Sequence, residues 1–118
     1  MLDDLASLVA ILAVDVQGRI TRWSPRLTQI TGWEPDEVTG SYLVSSLVPE
    51  PWRDRAERAL IEALSCEGSR CSGTMLLPLI GKRKQRCELM VCLSRQEGTG
   101  KVTNGVLIAG QDVTEFAK

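Results

Sequence analysis

The chain has 118 residues, 43% hydrophobic and 25% charged, with 14 basic against 15 acidic side chains and a formal net charge of -1. That length suits one domain able to bury about two-thirds of its unfolded surface without a staple, and the near-neutral balance excludes the basic footprint of a nucleic-acid binder. Histidine is absent altogether, which excludes haem held by a histidine and removes the commonest zinc ligand and the usual general base.

Taken in order, residues 1–8 place Leu2, Leu5 and Leu8 at every third position, an amphipathic lead-in that caps a sheet or meets a partner. Asp3 and Asp4 stand where a secretory leader carries positive charge, and the longest apolar run, 8–14, is too short to span a bilayer. The expectation is a cytoplasmic domain with no membrane insertion, its four cysteines reduced. Residues 8–16 read as a strand and 19–23 as its antiparallel mate across an Asp15-Val16-Gln17-Gly18 turn.

Ser24-Pro25 opens a short helix over 24–31, with Leu27 and Ile30 inward and Ser24 as its cap. Pro35, Asp36 and Glu37 begin a one-turn helix, where acidic residues suit the helix N-terminus. Residues 42–48 form a compact apolar turn or short helix stopped by Pro49. The one long helix, 51–64, presents Trp52, Ala56, Ala59, Leu60, Ala63 and Leu64 on one face.

Three strands follow at 69–80, 84–94 and 102–114, joined by turns at Gly81-Lys82 and 97–101, with Pro78 marking the first as irregular or an edge. The order predicts an α+β fold with an antiparallel sheet. Both faces of 89–93 are apolar: Leu89, Val91 and Leu93 on one, Met90 and Cys92 on the other. A half-exposed sheet alternates apolar with polar, so the second face is expected to be covered. Leu2, Leu5, Leu8, Leu89, Val91 and Leu93 are the candidate interface.

Several pieces then fall into a familiar order: Val14-Asp15-Val16-Gln17-Gly18-Arg19-Ile20, Trp23, Ile30-Thr31-Gly32, Glu37-Val38-Thr39-Gly40, and Gly105-Val106-Leu107-Ile108 leading to Asp112-Val113-Thr114-Glu115. Together they resemble a PAS domain over nearly the whole chain. The resemblance implies a five-stranded antiparallel sheet with helices packed on one face around a small cavity. It also implies a cap at 1–8, the PAS domain at 9–116 and, at 117–118, the start of a connector to an effector domain in the same polypeptide. Such domains sense light, redox state or small ligands, or pair as homodimers and PAS–PAS partners.

Departures from the family narrow the sensor type. Light-sensing LOV members carry Asn-Cys-Arg-Phe after the glycine matching Gly40, whereas this chain has Ser41-Tyr42-Leu43-Val44. Tyr42 replaces the flavin-attacking cysteine, and Gly110 stands where those domains place a glutamine. LOV photochemistry is not expected. By resemblance and face alternation the cavity is lined by Ile30, Tyr42, Leu43, Leu47, Leu60, Leu64, Met75, Leu77, Met90, Cys92 and Ile108. A polar cofactor needs convergent donors, and only Tyr42, Ser45 and Ser46 offer them. No cofactor is expected, with a flavin or small apolar ligand as the alternative occupant of what is otherwise a filled core.

The remaining motifs have plain explanations. Cys66-x4-Cys71 and Cys87-x4-Cys92 invite a zinc site, but Cys87 and Cys92 face opposite sides of one strand, so no metal is expected. A two-residue turn at Gly81-Lys82 sets Cys71 directly opposite Cys92, the one placement that offers a disulfide as the alternative to free thiols, and a longer turn breaks that register. Lys82, Arg83, Lys84 and Arg86 read as a solvated hairpin tip. With no nucleophile–base pair in view, the chain is not expected to be an enzyme. The sequence reading is a non-catalytic sensory or regulatory domain of a larger signalling protein that dimerises, or alternatively a small-ligand or flavin sensor.

Overall fold

A computed structural model describes residues 9–65, 74–97 and 103–113. Its frame is one five-stranded antiparallel sheet in the order β2-β1-β5-β4-β3, with short helices packed on one face. β1 (Ala10–Val14) turns Ala10, Leu12 and Val14 toward the helices. The turn after it is held by its own first side chain: the Asp15 carboxylate accepts the N–H groups of Gln17 and Arg19, both at 2.9 Å. Gly18, at φ +88°, supplies the left-handed backbone that closes the turn, and β2 (Ile20–Trp23) returns.

Helix α1 (Pro25–Thr31) starts on proline at its first turn. Ser24 holds the N-cap position but makes no side-chain cap bond. Its hydroxyl instead accepts the Ile11 N–H at 3.0 Å, tying α1 to β1, which corrects the capping role expected for it. Helix α2 (Pro35–Val38) is fastened by the Glu34 N–H donating to the Glu37 carboxylate at 2.9 Å. Helix α3 (Leu43–Leu47) buries Leu43, Val44 and Leu47. A 3-10 turn at Glu50–Trp52 precedes α4 (Arg53–Ser65), whose buried stripe is Ala56, Leu60 and Ala63.

Strands β3 (Thr74–Ile80), β4 (Arg86–Glu97) and β5 (Thr103–Asp112) complete the sheet. β3 is an edge strand, where Pro78 is tolerated. β5 runs so close to β1 that a Cβ on Gly105, at φ +121°, would stand 1.9 Å from the Val14 carbonyl oxygen. The sheet and helices enclose a core in which Leu12, Leu27, Leu43, Leu79, Leu89 and Ile108 are almost wholly shielded.

The β3–β4 turn differs from the sequence expectation. Ile80 pairs with Arg86, so the turn takes residues 81–85 rather than Gly81-Lys82. The Gly81 N–H bonds the Gln85 carbonyl at 2.7 Å and the Lys84 N–H bonds the Gly81 carbonyl at 2.9 Å. The tip docks on α1 and α2. Thr31 O accepts both the Lys82 N–H at 2.8 Å and the Gln85 side-chain amide at 3.1 Å. Trp33 Nε1 donates to Ile80 O at 3.0 Å, and Lys82 Nζ lies 2.7 Å from the Glu37 carboxylate.

Lengthening a turn from two residues to five is an odd change, and an odd change exchanges the two faces of a strand against its neighbour. Leu77 therefore pairs with Leu89 and Met75 with Val91. Leu89, Val91 and Leu93 face the helices and are buried at 1%, 1% and 3% exposure. They are core residues, not the outward interface that face alternation suggested. Met90, expected in the cavity, is 42% exposed on the opposite face, and Cys92 shares its parity. The same register sets Thr74 opposite Cys92. Cys92 is disulfide-bonded, against the expectation of reduced thiols; the other half of that bond, and Cys71, lie outside the described residues.

Candidate functional site

The interior expected to hold a ligand is built where α3 and α4 meet the sheet. Leu43, Leu60, Met75, Leu77 and Ile108 converge there as the sequence indicated, joined by Ala56, Ala59 and Leu93. The space left among them is about 10 Å³, room for roughly one water. Leu47 is buried in the same core, while Ile30 and Leu64 are half-buried against it. Tyr42 and Met90 lie outside this space, exposed. Leu2, Leu5 and Leu8 lie outside the described residues.

A larger cavity of about 190 Å³ opens beside it, between the β1–β2 turn, α3 and α4. Val14, Val44, Leu60, Leu64 and Val106 make its apolar floor, Val16, Tyr42 and Ile61 its rim, and Gln17, Ser45 and Glu57 its polar edge. Of these, sequence reasoning had singled out Tyr42, Leu60 and Leu64 for a cavity and Ser45 as a donor. Val16 and Ile61 carried a signal that went unused: each is a large apolar side chain in a position the local pattern reserves for solvent, a turn and the polar side of a helix.

Three titratable groups, Asp15, Glu37 and Cys87, are committed to structure. Partial burial pulls the Asp15 carboxyl up, but the N–H groups of Arg19 and Gln17 and the Arg19 guanidinium together hold it below its ordinary value. The bond from Lys82, with the Glu34 N–H, does the same for Glu37. Burial, with Asp112 and Glu88 nearby, pushes the Cys87 thiol up, and that thiol donates to Ile30 O at 3.4 Å. A raised, buried thiol is a poor nucleophile or metal ligand. Among the described residues no group of three His, Cys, Asp or Glu side chains could hold a metal. No helix among them is long and apolar enough to cross a membrane.

Sheet order, helix placement and the ordered motifs define a sensory-domain architecture. The chain matches the PAS fold over residues 2–113 and belongs to that family. It is 33% identical to a phytochrome of Pinus sylvestris over 107 residues, 88% of this chain but only 9% of that protein. The chain thus spans about a tenth of the length of this relative. Its fold superimposes on a PAS domain from Colwellia psychrerythraea with a TM-score of 0.76 at 19% identity, covering 91% of this chain and 87% of that one. It also superimposes on the PAS-B domain of Drosophila melanogaster Cycle, solved with bound ethylene glycol, with a TM-score of 0.75 at 10% identity, over 87% of this chain and 98% of that one.

Proposed function

We propose that this PAS domain is a non-catalytic regulatory module that pairs with a second copy of itself and relays that pairing to an effector in the same polypeptide. The outer sheet face carries the reading. Ile11 pairs with Ala109 and Ala109 with Cys92, Ala13 pairs with Leu107, and Leu76 pairs with Met90. Directly opposed residues share a face, so these side chains form an apolar band across β1, β5, β4 and β3, edged on the same face by Thr74, Ser94 and Gln111. An antiparallel sheet exposed to water on its second face would be polar there. Met90 stands 42% exposed within the band. Two-fold packing of one band on another makes a self-complementary contact. The small share of the phytochrome that the chain matches supports the place of one module in a longer signalling protein.

Sedimentation across a wide concentration range tests the pairing. A concentration-dependent dimer is expected, and Met90→Glu, a change at an exposed position, shifts it to monomer with unaltered secondary structure. A wild-type monomer at every concentration overturns the proposal. The alternative of a flavin or small apolar ligand in the interior requires Leu43, Leu60 and Ile108 to part around a space of about 10 Å³. An absorption spectrum and native mass of freshly purified protein decide that point.

A further inference from the structure

The 190 Å³ cavity is the place where exposed apolar side chains gather. Five large apolar residues among those described are markedly exposed, and three of them, Val16 at 55%, Tyr42 at 50% and Ile61 at 61%, rim this one opening. They come from the β1–β2 turn, the start of α3 and the middle of α4, so only the fold brings them together. Scattered single apolar residues on a surface need no explanation, whereas a convergent set around a concavity marks a binding site.

The walls are fixed by backbone bonds. The Leu43 N–H donates to Gly18 O at 3.0 Å and the Ile20 N–H to Ser41 O at 2.8 Å, locking the β1–β2 turn against the start of α3 on either side of Tyr42. On the opposite wall Glu57 is the one charged residue of the lining. Its natural mate on the helix is Arg53, one turn earlier. That guanidinium is engaged by α3 instead: Nε donates to Val48 O at 3.1 Å and a terminal nitrogen to the backbone carbonyl of Ser45 at 3.4 Å, holding the end of α3. Among the described residues Glu57 has no ion pair or hydrogen bond.

We propose that this cavity binds a small organic ammonium ion. Its apolar body lies on the floor of Val14, Val44 and Leu60, and its cation is held by the Glu57 carboxylate and the Tyr42 ring. A carboxylate and an aromatic face both attract a cation, and an organic ammonium satisfies both while covering apolar surface. An anionic amphiphile would meet Glu57 with no basic residue in the lining to offset it. A hydrated inorganic cation would leave the apolar floor wet. The volume falls below the roughly 300–1,000 Å³ of drug-sized sites, so the ligand is a small one. The site borders the filled interior, with Leu60 lining both, and lies on the helix side of the sheet, away from the outer face.

The test is a methyl-resolved NMR titration of the full chain with three probes of one shape: phenethylammonium, 2-phenylethanol and phenylacetate. Phenethylammonium is expected to give saturable shifts at the methyls of Val44, Leu60, Ile61 and Val106, binding about tenfold more tightly than the alcohol, with phenylacetate weakest. Glu57→Gln should abolish the preference for the ammonium while leaving the alcohol's affinity in place. Ser45→Trp, at the exposed mouth, should block both. The proposal is overturned if the alcohol binds as tightly as the ammonium, or if Glu57→Gln keeps the preference. Shifts mapping elsewhere, or no saturation at about 10 mM probe, overturn it equally.

Discussion

The sheet contains two hairpins that solve the same problem by different means. The β1–β2 turn is held from within: Asp15 accepts the N–H groups of residues two and four positions on, and Gly18 closes the loop. The β3–β4 turn closes on itself through the Gly81 N–H on Gln85 O and the Arg83 N–H on the Gln85 side chain. It is also docked from outside by Thr31, Trp33 and Glu37, which lie about fifty residues earlier in the chain and reach it only in the folded state. A turn that carries its own fastening is legible in a few residues. A turn fastened by distant partners is not, and the faces of the whole following strand follow from it.

Removing the fastenings one at a time should reproduce that difference in urea unfolding. Trp33→Ala has the largest expected effect, about 2–3 kcal/mol, somewhat less than for a fully buried tryptophan because Trp33 is half-buried. Trp33→Phe, which keeps a ring but leaves Ile80 O without its donor, should lose about 1 kcal/mol. If Trp33→Ala costs no more than the change at Asp15, the docked hairpin does not depend on its distant contacts and the contrast fails.

Asp15→Ala comes next at about 1 kcal/mol, since water can reach the two N–H groups it releases. The pH dependence has a definite sign. The folded carboxyl lies below its ordinary value of 3.8, so its contribution is complete above that value and disappears as pH falls through the lower folded one. Acid titration of Asp15→Asn should lack that component.

The smallest effect belongs to Glu37→Gln. Its partner Lys82 is half exposed, and surface ion pairs contribute little. The folded Glu37 carboxyl also lies below its ordinary value, 4.5, so the pair stabilises above that value and is lost on acidification. Whatever the substitution costs at low salt should vanish at high salt.

The sequence by itself determined the element order, the antiparallel sheet, the Asp15–Gly18 turn and the family. Each rests on neighbours a few residues apart: alternation, helical spacing, a proline, a glycine, a turn acid. It also named most of the interior, because Leu43, Leu60, Leu77 and Ile108 are apolar on any reading of their elements. The tertiary structure decided which face of β4 looks inward, because both are apolar and only the length of a turn docked on α1 separates them. It decided that Ser24 bonds Ile11 across to β1 instead of capping its own helix. It decided, too, that the interior is filled while a cavity opens beside it, since Val16, Tyr42 and Ile61 are far apart in the chain and become one rim only when the β1–β2 turn is bonded to α3 and α4 packs beside them.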